Sequence, residues 1–345
     1  MKKMETRGLL FIPDISGFSR FVHDADIEHS RLIIQELLEL LINANQLGLE
    51  ISEIEGDAIL FYRFGEVPEL QALYGQVKKM FQDFHYHLKA YERRRYCQCD
   101  ACASAVHLTL KVITHYGEFA NYNVRNFRKL IGRDVIVAHQ LLKNDIEQHD
   151  YWLLTKTISG ELPPNLADNM NWSRGIKQTE TAEVPFFYTH LTALKDDLPA
   201  VPTASSELAG KLKVLSITKL FTTDITTLLY KIGDISNRNQ WQHGVKATEE
   251  IEHVLPRAGM RFRLVGECWT KSIRSINCIY QTDKISFSEM DETNSSVVHF
   301  TLEKNGEKQT ALTLDYYIVE NEQVPHTLFD SFSQSLENLE AFLHR

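Results

Sequence analysis

Two aspartates stand where the chain could hold a divalent cation. Asp14 follows the apolar run GLLFIP, which predicts a buried strand, and precedes Ile-Ser-Gly, which predicts the start of a helix. Asp57 follows Gly56 at a turn between two runs of alternating apolar residues, which predicts the tip of a β-hairpin. If that hairpin lies beside the first strand, both carboxylates reach one edge and can hold Mg²⁺ or Mn²⁺ that bridges phosphate oxygens. The alternatives are an N-cap for Asp14 and a solvated turn for Asp57.

A second group of candidate ligands is a cysteine cluster. Cys97, Cys99 and Cys102 lie within six residues, so one loop could turn three thiolates toward one zinc ion. Thiolates are soft ligands that favour zinc over Mg²⁺, and zinc would need a fourth ligand. The candidates for that ligand are His85, His87 and His107. The alternative is a set of partly buried cysteines that hold no metal.

Length and charge limit the classes of protein to which this chain can belong. Its 345 residues exceed what one core usually organises, which predicts two domains. The net charge of −9 argues against nucleic acid as a partner, because proteins that bind it concentrate Lys and Arg. No apolar run approaches the roughly 18 residues of a membrane span. An odd number of cysteines argues against a disulfide framework, and Cys268 and Cys278 are expected to be core residues in strands. We therefore expect a cytoplasmic protein.

A stretch of low periodicity separates the two predicted domains. Residues 171–207 are rich in Asp, Thr, Ser and Pro and show little sustained periodicity, which is typical of loops. We place the boundary near Pro202. One domain then covers residues 1–200, with an extension over 150–200, and the other covers 205–345.

The first domain alternates strands and helices around the two aspartates. Amphipathic helices are predicted over 68–94 and 133–145. Four runs, FIPDISGFSRF, EIEGDAILFY, LKVITHYGEF and KLIGRDVIVAHQLL, occur in the order and at the spacing of the catalytic domain of class III adenylate and guanylate cyclases. The chain resembles that family over roughly residues 8–145. The resemblance implies a ferredoxin-like nucleotidyl cyclase fold of the α+β class, and a homodimer whose sites lie at the shared interface.

The resemblance also implies roles for particular residues. Asp14 and Asp57 take the positions of the two metal ligands, which implies Mg²⁺ or Mn²⁺ together with a purine nucleotide. Glu53 takes the purine-selecting position and resembles the guanylate type, and its partner position holds Lys129. The phosphate-binding turn after the first strand comprises Ile15, Ser16, Gly17 and Phe18.

Two positions of the first domain depart from the cyclase family. Ile136 stands where the family has Asn, and Gln140 stands where it has the transition-state Arg. A neutral Gln cannot replace a guanidinium that stabilises charge on a transferring phosphoryl group, so we predict nucleotide binding with little or no cyclisation. One alternative is an active cyclase in which Arg128 or Arg133 supplies the missing charge. The other is a dimerisation module that binds nothing.

The second domain shows a different order of elements. A strand, a helix over 224–233, several strands with a hairpin turn at Lys304-Asn305-Gly306 and an amphipathic C-terminal helix over 327–344 follow one another. With the runs ISNRNQWQHGV and PRAGMRFRLVGE, this order resembles the START-like helix-grip superfamily of polyketide cyclases and lipid-transfer proteins. The resemblance implies an antiparallel sheet that wraps the C-terminal helix and leaves a pocket for a small hydrophobic ligand.

Aromatic side chains are the candidates for the lining of that pocket. We expect Trp241, Trp269, Tyr280, Tyr316 and Phe329 to line it. The alternative is ordinary core packing, in which strand and helix aromatics leave no cavity. Together the two domains predict a binding or signalling protein. An active cyclase regulated by the START-like domain is the alternative.

Overall fold

The protein is described by a computed structural model that forms two compact units. The described residues are 6–18, 21, 27–95, 100–125, 127–168, 170–179, 182–201, 208–251, 259–320, 322, 324 and 326–344. The first unit comprises residues 1–24, 33–88 and 104–200, and the second comprises residues 25–32, 89–103 and 201–345, each within those described ranges. Pro202, where the sequence places the domain boundary, lies outside the described residues.

The elements up to residue 200 include both helices and strands. The helices are α1 (Ile27–Asn43), α2 (Leu70–Arg94), α3 (Asp100–Ser104), α4 (Arg133–Leu142) and α5 (Lys156–Ser159). The strands are β1 (Arg7–Ser16), β2 (Glu50–Glu55), β3 (Ala58–Phe64), β4 (Thr109–Glu118), β5 (Ala120–Val124), β6 (Phe127–Ile131), β7 (Tyr151–Thr155), β8 (Ser173–Gln178) and β9 (Glu183–His190).

The main sheet of the first unit has the strand order β2-β3-β1-β4-β7-β9-β8. Its pairs are antiparallel except β4 with β7, and β5 and β6 form a separate hairpin. The succession of β1, α1, β2, β3, α2 and β4 in the spatial order β2-β3-β1-β4 is the ferredoxin-like arrangement. The predicted α+β class is confirmed.

Strand β1 is the centre of this sheet. Nine of its ten residues are buried, because β3 and β4 flank it and the core covers it. Its apolar side chains Leu10 and Ile12 pack with Val135 and Leu141 of α4. The apolar run without alternation thus forms a buried strand, as the sequence predicted, and the structure shows that this strand is central in the sheet.

The polar stretch before residue 200 contains two strands that the sequence analysis did not predict. β9 pairs with β7, and β8 extends the sheet to its edge. Hydrophobic periodicity could not predict β8, because β8 is an edge strand whose one large apolar side chain, Ile176, is 61% exposed. The expectation of loops over 171–207 is wrong for these two segments.

The second unit is built on one antiparallel sheet with the order β10-β16-β15-β14-β13-β12-β11. The strands are β10 (Lys211–Phe221), β11 (Ala247–Glu250), β12 (Arg261–Val265), β13 (Thr270–Tyr280), β14 (Lys284–Asp291), β15 (Val297–Lys304) and β16 (Thr310–Val319). The helices are α6 (Ile225–Gly233), α7 (Arg238–Trp241) and the C-terminal α8 (Leu328–Leu343). The predicted hairpin after Lys304 joins β15 to β16, with the backbone N–H of Asn305 bonded to the carbonyl of Gln309 at 2.9 Å.

The core of the second unit lies between the sheet and its helices. Phe287 and Phe300 stack at 4.4 Å between ring centroids, and Leu336 and Leu339 of α8 belong to the same buried cluster. The amphipathic pattern thus identified the buried face of α8 in its second half. In the described residues, no helix has the length and apolar character needed to cross a membrane.

Two glycines provide a test of local structure in the first unit. Gly56 has a φ of 62°, which L-residues adopt at a cost, whereas Gly75 lies inside α2 with open space around it. We expect Gly56→Ala to destabilise the protein by about 1 kcal/mol, and Gly75→Ala to stabilise it by about 1 kcal/mol. Urea unfolding of the full chain, followed by circular dichroism, measures both. Shifts of the same sign would contradict this account of the β2–β3 turn.

Candidate functional site

A cleft of about 610 Å³ lies in the first unit between the sheet and helix α4. Strands β1, β2 and β4 and the β2–β3 turn supply one wall with most of the charged residues. Helix α4 and the residue after it, Lys143, supply the opposite wall. The lining residues are Ile12, Asp14, Glu53, Glu55, Asp57, Ala58, Leu60, Lys111, Val135, Ile136, His139, Gln140, Leu142 and Lys143. Asp14 and Asp57, predicted to converge, thus line one cleft.

The two aspartates are placed by pairing of the strands. Asp14 lies opposite Ala58 of β3 and opposite Lys111 of β4. The backbone N–H of Ile15 donates to the carbonyl of Asp57 at 3.0 Å, which holds the hairpin turn against β1. Because side chains alternate along a strand, this register directs Asp14 into the cleft while Ile15 is buried on the other face.

Charge in the cleft is only partly balanced. The Lys111 Nζ lies 3.2 Å from Asp14 Oδ1, and it also donates to the carbonyl of Leu142 at 3.3 Å. Burial raises the pKa of Asp14, and the nearby Lys111 ammonium opposes that rise. Burial, followed by repulsion from Asp14, raises the pKa of Asp57 to about 6. Two carboxylates therefore share one ammonium, and their ionised state would be favoured by a further cation.

The donor set fits Mg²⁺ or Mn²⁺ that arrives with a phosphate. Among the described side chains, no three His, Cys, Asp or Glu groups gather as a metal site. Mg²⁺ commonly uses only one or two carboxylates and takes its other ligands from substrate phosphates and water. Asp14 and Asp57 would hold such an ion, which would neutralise phosphate charge.

Glu53 is contacted by side chains from two other elements. It forms an ion pair with Lys129 of β6, and His139 Nε2 of α4 lies 3.6 Å from Glu53 Oε1. The hydrogen bond to Glu53 raises the pKa of Lys129. The pair predicted to select the purine is thus brought together at one wall of the cleft. A purine with N–H donors would have to compete with Lys129 for the Glu53 carboxylate.

The predicted phosphate-binding turn lies differently from expectation. Asp14 was expected at the junction of strand and helix, but β1 continues to Ser16, which pairs with Thr109. The chain leaves the strand at Gly17, whose φ is 94°. Ile15 and Ser16 are buried, and none of the four turn residues lines the cleft. Phe18 lies near Gly56, since a Cβ on that glycine would meet the Phe18 ring at 3.8 Å.

Helix α4 brings to the cleft the two positions that depart from the cyclase family. Ile136 and Gln140 both line it, and Ile136 is 61% exposed. Neither Arg128 nor Arg133 is among the lining residues. Arg128 is instead bound to Glu50 at 2.8 Å. The described residues that line the cleft therefore contribute no guanidinium.

Two functional candidates of the cleft were missed by sequence reasoning. Lys111 stands inside an apolar strand, and a charged residue there indicates a buried partner of opposite charge. His139 lies three residues after Ile136 and so shares its helical face. Only the pairing of distant strands shows that both meet the predicted acidic residues.

The cysteines are only partly described. Cys102 is buried, whereas Cys97 and Cys99 lie outside the described residues. Two of the histidines proposed as a fourth zinc ligand already have carboxylate partners: His85 Nε2 lies 2.9 Å from Asp150 and His87 Nε2 lies 3.3 Å from Glu36. Zinc binding stays a prediction.

The expectation for the other two cysteines is half wrong. Cys278 is buried in β13, as predicted. Cys268 is exposed in the turn between β12 and β13, because its position belongs to the connection between the strands.

A second cavity, of about 660 Å³, lies within the second unit. Trp241, Trp269 and Tyr316 line it as predicted, whereas Tyr280 and Phe329 do not. Phe329 is 58% exposed in the first turn of α8, and Tyr280 is exposed where β13 ends. Apolar side chains of the sheet and of α8 form much of the wall, namely Leu264, Ile273, Val298, Phe300, Leu314, Leu328 and Phe332.

Comparison with known proteins gives similarity over the first part of the chain. Residues 34–151 match a family described as a protein of unknown function, DUF2652. The uncharacterized protein Rv2561/Rv2562 of Mycobacterium tuberculosis is 29% identical over 171 residues, which cover 48% of this chain and 77% of that protein.

Solved structures of nucleotide cyclases are also similar to this chain. The adenylyl cyclase CyaB from P. aeruginosa is 14% identical with a TM-score of 0.39, and the match covers 55% of this chain and 96% of that one. The guanylate cyclase domain of RhGC from Catenaria anguillulae, solved in complex with GTP, is 13% identical with a TM-score of 0.40. That match covers 54% of this chain and 97% of that one.

The raised pKa of Asp57 predicts a titration in solution. The side-chain carboxyl ¹³C resonance of Asp57 should titrate with a midpoint near pH 6. The midpoint should be lower in Asp14→Asn, because that variant removes a repelling charge, and higher in Lys111→Met, because that variant removes an attracting charge. Since folding raises this pKa above the ordinary 3.8, Asp57 makes the protein less stable as pH rises from about 4 through 6. A midpoint that does not move in Asp14→Asn would contradict the proposed coupling.

Proposed function

We propose that the first unit binds a purine nucleotide through a divalent cation held by Asp14 and Asp57, with little or no cyclisation. The observation that carries this proposal is the convergence of the two carboxylates in one cleft, where the charge of Asp14 helps raise the pKa of Asp57. A cation relieves that repulsion, and a nucleotide polyphosphate supplies the oxygen ligands that two carboxylates leave open. Mg²⁺ and Mn²⁺ are the ions of choice because both prefer oxygen.

The shape and chemistry of the cleft support a nucleotide as ligand. Its volume of about 610 Å³ lies within the roughly 300–1,000 Å³ of small-molecule sites. The metal-holding carboxylates are supplied by β1 and the β2–β3 turn, while Glu53, paired with Lys129, lies on β2 as the candidate for contact with the base. In this proposal the phosphates and the base thus meet different groups of side chains.

Weak or absent cyclisation follows from the wall supplied by α4. Cyclisation needs a positive charge where the transferring phosphoryl group develops negative charge, and its loss costs a factor of about 10³ or more. Ile136 and Gln140 line the cleft at the positions in question, and both are uncharged. Binding is therefore proposed ahead of turnover.

A homodimer is part of the same proposal. Several large apolar side chains of the first unit are exposed on β2 and on the β5–β6 hairpin, namely Ile51, Ile54, Tyr122, Val124 and Ile131. Exposed apolar groups on neighbouring elements are typical of surfaces that associate. We propose that a second copy of the chain covers them.

For the second unit we propose a START-like role in which the cavity holds a small hydrophobic ligand. The support is the order of the elements, with two short helices between the first two strands, one antiparallel sheet and a long last helix. The cavity of about 660 Å³ with an extensive apolar lining also supports it. The whole chain is then a binding or signalling protein that has two kinds of ligand.

Removal of either aspartate tests the nucleotide site. Asp57→Asn and Asp14→Asn should each weaken Mn²⁺-dependent binding of GTP and ATP by at least about tenfold, because each removes one of the two carboxylates proposed to hold the ion. Isothermal titration calorimetry measures the loss. Asp83→Asn, on α2 and paired with Lys79 away from the cleft, is the matched control and should bind as the wild type does. Equal binding in Asp57→Asn and wild type would refute the proposal.

Placing the cyclase-family residues at positions 136 and 140 tests why cyclisation is expected to be weak or absent. The wild type should form negligible cyclic nucleotide with Mn²⁺ and either GTP or ATP. The double variant Ile136→Asn, Gln140→Arg should gain turnover of at least about tenfold over that background, because it supplies the amide and the positive charge. Adding Asp57→Asn to the double variant should abolish the gain. Robust turnover by the wild type would show an active cyclase instead.

A further inference from the structure

The cavity of the second unit has a polar inner wall in addition to its many apolar lining residues. Arg238 of α7 is 1% exposed and forms an ion pair with Glu289 of β14, which is 6% exposed. Its Nη1 donates to Gln242 Oε1 at 3.2 Å. Both charged groups line the cavity. A buried ion pair in a ligand cavity needs hydrogen bonds for its remaining N–H groups and lone pairs.

Two donors that belong to residues of this wall have no acceptor in the described part of the chain. Arg238 Nε and Trp241 Nε1 are buried, and neither finds a hydrogen-bond partner among the described residues. The two residues lie three apart on α7, so they share one face of the helix. An unpaired buried N–H carries a desolvation cost that a ligand oxygen would remove.

The Arg238 guanidinium is fixed in place by aromatic rings. Its Cζ lies 5.0 Å from the ring centroid of Trp241, and 5.7 Å from those of Phe262 and Phe300. Stacking on aromatic faces restricts the guanidinium without using its N–H groups. The donors are therefore preorganised for an acceptor that the described part of the chain does not provide.

The charges of the wall select against an anionic acceptor. Besides Arg238 and Glu289, the lining contains Lys271, Asp291 and Asp330, which gives two cations and three carboxylates. Lys271 is already paired with Asp291 at 3.0 Å. A ligand carboxylate would have to share Arg238 with Glu289, and like charges around one guanidinium repel in a site of low dielectric. A ligand ammonium has no lone pair to offer the two unpaired donors.

We propose that the cavity of the second unit binds an apolar molecule that ends in a neutral oxygen acceptor, such as an ester, a ketone or an alcohol, with Arg238 and Trp241 as its donors. This inference rests on the proposed binding of a hydrophobic ligand and specifies its chemical class. The apolar wall takes the hydrocarbon body, and the neutral oxygen completes the hydrogen bonds of the inner wall without adding charge.

Displacement of the neutral dye Nile red from the full chain tests the proposal with probes of equal chain length. Methyl laurate and dodecanol should displace the dye at concentrations about tenfold lower than dodecane, because they satisfy a buried donor, and about tenfold lower than laurate at pH 8, because laurate adds a charge. Equal potency of dodecane, or laurate as the strongest competitor, would overturn the inference while the hydrophobic pocket itself stands. Absence of any dye binding would refute the pocket and the inference together.

Variants of the two donors show whether these residues cause the preference. Trp241→Phe removes one donor and should reduce the ratio of methyl laurate to dodecane affinity severalfold. Trp269→Phe, on the same cavity, should change both affinities alike and leave the ratio unchanged. Because Arg238→Met alone would strand a buried carboxylate, it is combined with Glu289→Leu, and the ratio should then fall severalfold as it does in Trp241→Phe. Adding Trp241→Phe to this double variant removes both donors and should bring the ratio to about one. A ratio that survives in both Trp241→Phe and the double variant would overturn the proposal.

Discussion

The contact between Asp14 and Lys111 across two neighbouring strands is the constraint on which the cleft of the first unit depends. The two residues are directly opposite in the β1–β4 ladder, and their charged groups are 3.2 Å apart. A slip of one residue in this register would turn Asp14 into the core and bring the buried Ile15 into the cleft. The buried apolar run of β1 opposes such a slip, because it would expose residues on one face and bury charge on the other. Core packing and the electrostatics of the site are thus set by the same strand.

Much of the first unit could be predicted from the sequence because its signals are local. The β2–β3 hairpin follows from Gly56 and the flanking alternation, and the helices follow from their period. The position of Lys111 could not be predicted in the same way, since its contact with Asp14 depends on which strands become neighbours. The length of β1 was also uncertain, because the ladder with β4 rather than local propensity carries the strand to Ser16. Local patterns predict elements, and the pairing of strands decides which side chains meet.

The cavity of the second unit shows the same limit more sharply. Aromatic type identified Trp241, Trp269 and Tyr316 as lining residues, but it could not show that Phe329 stands in an exposed first turn of α8. The pair of Arg238 with Glu289 joins residues 51 positions apart on a helix and a strand. No sequence pattern predicts that pair, because a charged residue considered by its type alone would be assigned to the surface. The polar wall is therefore a property of the folded sheet and not of any one segment.

A structural role alone explains the aspartates of the first unit poorly. Burial and the charge of Asp14 raise the pKa of Asp57, which means that ionising this carboxyl costs more free energy in the folded protein than in the unfolded chain. An Asn or Ser at the hairpin turn would form the turn without that cost. In the proposed function a divalent cation reverses this balance, because it attracts both carboxylates at once. The unfavourable electrostatics of the two carboxylates are thus the physical reason for proposing that the cleft is a binding site.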